Sequence, residues 1–183
     1  DFYQGGVIFY LDGFGGGLVL DIYNSYQLRW GCEGTSISTG NSIGTGSQNT
    51  INILNGCAEA GIAAEVCNNS TVQGYSDWFL GSKDEMDQIY SNLTIIDSSV
   101  IANGGVSFGS SWSSLWTSTE QCVLTTYSDC SDFAYYSDIS PSFYNYTKKD
   151  NYGNVRAVRA FGNITIYGCT DSTAFNYNPI ANT

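Results

Sequence analysis

The stretch SDWFLGSKDEMDQIY, residues 76–90, constrains the fold more than any other part of the chain. Ser82 followed three residues later by Glu85 is a capping box, in which the hydroxyl accepts from one free backbone N–H and the carboxylate from another. Met86, Ile89, Tyr90 and Leu93 then form an i, i+3, i+4, i+7 apolar stripe, which predicts a helix running to about Asn92. Trp78, Phe79 and Leu80 just before it read as a buried strand or turn. A helix with one face to bury, placed between β-prone segments, points to an α+β arrangement.

Those flanking segments are short. Val7 to Tyr10 and Leu18 to Ile22 are β-prone runs separated by DGFGGG, which predicts a hairpin with a glycine turn. The glycine run lacks the G-x-G-x-x-G spacing and any Lys-Ser/Thr ending, so it is not a phosphate loop. A polar, glycine-punctuated loop follows and ends in Asn49 and Thr50, both good helix caps. Ile53, Leu54, Cys57, Ala58, Ala60, Ala63, Ala64 and Cys67 then sit near helical spacing, predicting a first helix to about Val66. Gly56 and Gly61 weaken it by roughly 1 kcal/mol each. Beyond the capped helix, SSWSSLWTSTEQ, SDFAYYSDI and NVRAVRAF alternate well enough to be antiparallel strands. The expected order is a hairpin, two helices and an antiparallel set.

At 183 residues the chain holds one main domain and a small appendage. Its 17 acidic and 6 basic residues give a net charge of −11, a field that repels a phosphate backbone, so nucleic acid is excluded as a partner. Most of these carboxylates solvate a surface, and some are candidates for holding divalent cations. No apolar run is long enough to span a bilayer, and DFYQGGVIFY lacks the basic start and apolar stretch of a signal peptide, as expected of a mature segment or a cut from something longer. Six cysteines beside abundant Ser, Thr and Asn indicate an oxidising compartment. Five Asn-x-Ser/Thr triplets, at Asn68, Asn69, Asn92, Asn145 and Asn163, are glycosylation acceptors in a eukaryotic secretory pathway and also arise by chance in such a composition.

Taken together, GGVIFY, WGCEGTSI, IGTGSQNT, AGIAAEVC, GYSDWFLGSKDEM, LWTSTE and NVRAVRAF resemble, in order, the bacterial and phage domain found at the C-terminus of the Legionella collagen-like adhesin. The resemblance runs from about Gly5 to Phe161, with Gly81 where that family usually has proline. It implies a C-type-lectin-like α+β fold, related to formylglycine-generating enzymes and to diversified receptor-binding proteins, and an adhesion or ligand-binding role. The tail, YGCTDSTAFNYNPIANT, resembles the start of a short repeat found in secreted surface proteins. This divides the chain into a domain over 1–164 and a repeat start over 165–183. The second resemblance implies Ca²⁺ held through Asp171, Asn176 and Asn178, hard oxygen ligands that suit it; a turn capped by these Asx side chains accounts for them equally well.

With Cys169 in the tail, five cysteines remain for the domain. Cys122 and Cys130 flank VLTTYSD, a spacing that closes a hairpin loop and makes this the first expected disulfide. Cys32 to Cys57, leaving Cys67 as a small buried apolar residue, is preferred to Cys32 to Cys67. With no Cys-x-x-Cys pair and no histidine, zinc is not expected.

The absence of histidine also removes the usual general base and every Ser-His or Cys-His nucleophile. Asp129, Asp132 and Asp138 are close enough in sequence to be weighed as glycosidase carboxylates, but nothing in their Ser/Tyr-rich surroundings signals burial. The chain is read as a non-enzyme. Residues 127–161 instead hold six of the fourteen tyrosines and four of the six cations, Lys148, Lys149, Arg156 and Arg159. Tyrosine offers a rigid apolar face with a polar tip and little rotamer entropy to lose, so Tyr127, Tyr135, Tyr136, Tyr144 and Tyr146, with Asp132, Asp138 and Asn145, form the candidate ligand-binding segment. The competing account is that half of these tyrosines pack the sheet. In the diversified relatives that the resemblance brings in, a hypervariable segment of such composition lies just before the final core strand. The arginines read as structural partners of nearby carboxylates, and Trp30, Trp78, Trp112 and Trp116 as core.

Two functions are expected from these residues. The first is a secreted, cell-surface or virion-surface module that binds a glycan or protein surface through the tyrosine-rich segment. The second is a structural subunit of a filament, capsid or tail decoration, assembling with copies of itself or a scaffold. Neither requires insertion into a membrane.

Overall fold

In a computed structural model, residues 1–23, 27–108, 114–122, 130–138 and 144–164 are described. The capping box at Ser82 is present in full: Ser82 Oγ accepts from Glu85 N at 3.4 Å, and Glu85 Oε2 accepts from Ser82 N at 2.7 Å. It opens helix α3 (Lys83–Ser91), whose Met86 and Ile89 are fully buried.

The strands before α3 are β1 (Phe2–Tyr3), β2 (Gly6–Leu11), β3 (Gly17–Leu20), β4 (Leu28–Arg29) and β5 (Phe79–Leu80). Those after it are β6 (Ser114–Gln121), β7 (Phe133–Asp138), β8 (Tyr144–Lys148), β9 (Tyr152–Gly153) and β10 (Ala157–Phe161). They form an antiparallel sheet in the order β1-β2-β3-β10-β5, a second in the order β6-β7-β8, and the pair β4-β9. The expected hairpin is β2-β3, and NVRAVRAF supplies β10, set between β3 and β5 in the middle of the larger sheet.

Every residue of β3 is buried, because the larger sheet is covered on both faces. Leu18, Leu20 and Val158 join one core with Met86, Ile89, Ile96 and Val100 of α3 and α4 (Leu93–Ala102). Val19, Leu80 and Ala157 join the other with Ile53 of α1 (Gly46–Gly56) and Ala63, Ala64 and Cys67 of α2 (Ala63–Asn68). Strands buried on both sides read as continuous apolar runs instead of alternating ones.

Four α-helices thus occur among the described residues where two were expected. The expected first helix is two. Cys57 leaves the helical region, with φ −124° and ψ 118°, and bonds to Cys32, while Gly61 takes a positive φ of 72°. Asn49 and Thr50 are interior to α1 and buried; the N-cap is Thr45. Helix α4 follows α3 directly across Asn92. Its apolar positions are split between buried Ile96 and Val100 and exposed Ile95 and Ile101, which blurs the periodicity that would have announced it.

Both preferred disulfides are formed, Cys32–Cys57 and Cys122–Cys130, and Cys67 is a buried free thiol. Trp30, Trp78 and Trp116 are core residues; Trp112 lies outside the described residues. Arg159 pairs with Asp77 and stacks on Tyr75 at 3.9 Å, as a structural arginine should. Arg156 is fully buried over the Phe108 ring at 4.2 Å and donates to the carbonyls of Asp21 and Val106. No helix among the described residues is long and apolar enough to cross a membrane.

Candidate ligand-contact face

The tyrosine-rich segment forms the hairpin-like pair β7-β8, and strand alternation divides its tyrosines between two faces. Ala134 and Tyr136 turn toward the core: Ala134 is fully buried, and Tyr136 meets Trp116 edge to face, with centroids 6.2 Å apart. The Trp116 Nε1–H is fixed by the Leu28 carbonyl at 2.8 Å. Phe133 and Tyr135 point the other way. Tyr135 lies directly opposite Tyr146, Phe133 lies opposite Lys148, and the Phe133 and Tyr146 rings pack edge to face at 5.6 Å. Tyr146 is 46 % exposed.

Helix α3 borders this outer face. Tyr90 donates through its hydroxyl to the Ser137 carbonyl at 3.0 Å, sealing one end. Toward the other end, Lys83 Nζ lies 5.8 Å from the Tyr135 ring centroid and between Asp84 (3.5 Å) and Asp87 (3.8 Å). Burial, with Asp84 adding to it and Lys83 opposing it, pushes the Asp87 carboxyl up to about 6. Lys148 pairs with Glu33 at 2.6 Å, and that hydrogen bond holds its ammonium above the ordinary lysine range.

The other expected site residues have mixed placements. Asn145 is opposite Tyr136 and half-buried. Asp132 is half-buried; its carbonyl accepts from Lys149 N at 3.0 Å and its carboxylate from Ser131 Oγ at 2.9 Å, contacts that shape the turn. The backbones of Asp138 and Tyr144 belong to β7 and β8, paired with Ser114 and Ser137. Tyr127, Asp129, and the tail residues Asp171, Asn176 and Asn178 lie outside the described residues. Among the described residues no group of three or more metal-ligating side chains comes together.

The polar scaffold behind the face lies in part of LWTSTE, where the sequence announces a strand and nothing more. The β6-β7 register shifts between Trp116 and Glu120, so Thr117, Ser118 and Thr119 form a buried bulge. Thr117 Oγ1 donates to the Tyr135 carbonyl at 3.0 Å, and its own carbonyl accepts from Trp30 Nε1 at 2.9 Å. Thr119 Oγ1 accepts from Lys83 N and donates to the Gly40 carbonyl, both at 3.0 Å. Asn49 Nδ2 donates to Ser118 Oγ at 3.0 Å and to the Gly40 carbonyl at 2.7 Å. One bulge therefore fixes Tyr135, the start of α3 and the loop before α1 against each other.

Compared with protein-family models and with curated proteins, the chain matches none.

Proposed function

We propose that the chain is a surface-contact module of C-type-lectin-like kind, secreted or displayed on a cell or virion, that adheres to a partner through the outer face of β7-β8. One observation carries this reading: Tyr135 and Tyr146 are directly opposed on the face turned away from the core, while Tyr136 of the same run is used for packing. Rigid aromatic rings beside fixed charges are the material of recognition surfaces. No catalytic arrangement is needed for such a role. The alternative is a structural subunit, favoured by the edge position of β8, which among the described residues pairs with β7 alone.

The test is capture of the intact chain on arrays of immobilised glycans and proteins, with the Tyr135→Ala/Tyr146→Ala variant in parallel and Tyr152→Ala as a control exposed elsewhere. Loss of captured partners by at least tenfold in the double variant alone is expected. Equal capture by all three proteins would remove the face from the account. Concentration-dependent polymerisation that the double variant abolishes, with no array partner, would favour the structural subunit.

A further inference from the structure

We propose, resting on the contact-face reading above, that the partner docking on this face is a cationic protein segment, one that presents Arg or Lys side chains to Tyr135 and Tyr146.

All six Lys and Arg residues fall among the described residues and the chain has no histidine. Each is engaged within the fold. Arg29 bridges Glu59 (3.4 Å) and Asp150 (3.6 Å), Arg159 pairs with Asp77, and Lys149 is buried against Glu120. Arg156 is buried on backbone carbonyls. Lys83 and Lys148, the two cations on the contact face, have their own carboxylates within 3.5 Å and 2.6 Å.

Negative charge on the same face exceeds what those two lysines neutralise. Lys83 serves both Asp84 and Asp87. Lys148 serves Glu33, with Asp132 also within electrostatic reach; Asp150, nearby too, is already bridged by Arg29. An incoming phosphate or sulfate would meet this surplus with no unengaged cation to receive it, whereas an incoming guanidinium or ammonium would be drawn in. The aromatic rings supply the second half of the recognition. A cation over a tyrosine face is attracted by the ring quadrupole, and this chain makes that contact inside its own fold, with Arg159 over Tyr75 at 3.9 Å and Lys83 already near Tyr135. Guanidinium combines the stacking plane with donors for carboxylates, so Arg is the better match of the two.

The probe is a fluorescent peptide of alternating Arg and Ser, titrated against the intact chain by anisotropy at low and moderate salt, with an equal-length Gly-Ser peptide, heparin and duplex DNA alongside. Tyr135→Ala/Tyr146→Ala keeps the net charge at its wild-type value, so a general attraction to an acidic protein would survive it. Expected are a loss of Arg-Ser affinity of at least tenfold in that variant, partial recovery in Tyr135→Phe/Tyr146→Phe, and a several-fold loss in Asp84→Asn/Asp87→Asn. No binding of heparin or DNA is expected. Thermal melts of each variant separate a folding defect from a binding one. Undiminished Arg-Ser binding in the folded Tyr→Ala variant, or heparin binding that this variant abolishes, would overturn the proposal. If the arrays yield an uncharged partner that needs Tyr135 and Tyr146 while the Arg-Ser peptide does not, the face stands and this assignment of its partner falls.

Discussion

Glu120 and Lys149 form an ion pair sealed from water, with the Lys149 ammonium 4.5 Å from the centre of the Trp30 ring. Lys149 also donates to the Thr35 carbonyl at 2.7 Å and Glu120 accepts from Ile37 N at 2.9 Å, so the pair fastens the loop after β4 to the turn after β8. Removing one partner leaves an uncompensated buried charge, which costs roughly 3–5 kcal/mol, more than the intact pair contributes over an apolar replacement. Lys149→Met is therefore expected to lower stability by about 3 kcal/mol, a fall in Tm on the order of 10 °C for a chain of this size. Glu120→Gln/Lys149→Met should recover part of that loss. Urea denaturation of the two variants and the wild type checks it, and equal stability of the single and double variants would contradict it.

Tyr136 and Tyr146 predict unequal costs for the same change. Tyr136 is partly buried and packs on Trp116, so Tyr136→Ala should cost roughly 2 kcal/mol, less than truncation of a fully buried aromatic. Tyr146 is 46 % exposed, and Tyr146→Ala should cost less than about 1 kcal/mol. Chemical denaturation measures both. Comparable costs would mean that Tyr146 is a packing residue and not a contact.

Asp87 gives a pH dependence whose sign runs against that of ordinary ion-paired carboxylates. Its folded value of about 6 lies above the ordinary aspartate value of 3.8, so the folded state binds the proton more tightly. This group's contribution to stability is greatest below about pH 4 and is lost as pH rises through about 6. Asp87→Asn should raise stability at pH 7 by on the order of 1 kcal/mol, after allowance for partial solvent screening. It should also flatten the stability profile between pH 4 and 6. Denaturation midpoints at half-unit steps across that range measure the difference from wild type; a steeper profile in the variant would contradict the assignment.

The capping box at Ser82, the β2-β3 hairpin, the closing strand and both disulfides are legible in the sequence because each rests on a local pattern or a small set of partners. The broken first helix and α4 are not. Cys57 leaves the helix to reach Cys32, 25 residues away, and α4 exposes two of its three isoleucines, Ile95 and Ile101, and buries only Ile96. The tyrosine density marks the segment that forms β7-β8, but which of its tyrosines packs on the core depends on how β7 pairs with β6, whose register shifts at Thr117–Thr119. The Glu120–Lys149 pair joins residues 29 apart, and nothing in the sequence marks Glu120, one of 17 acids, as the partner of Lys149.

Gly46 sets a helix-propensity gain against a steric loss. It is the first residue of α1, and Ala in a helix is favoured over Gly by up to about 1 kcal/mol. Here an added Cβ would lie 2.2 Å from Glu85 Oε2 and 2.8 Å from Ser82 N. Glu85 cannot readily withdraw. It is fully buried and accepts from Gly44 N at 2.8 Å as well as from Ser82 N, and burial already holds its carboxyl above the usual range. Displacing it would strand two backbone donors and loosen the start of α3, a loss of roughly 1–3 kcal/mol per group that outweighs the propensity gain. Gly46→Ala should therefore destabilise the chain by about 2 kcal/mol and speed hydrogen exchange at the amides of Gly44 and Ser82. A stabilised variant with unchanged protection at those two amides would show that Glu85 does not couple α1 to α3.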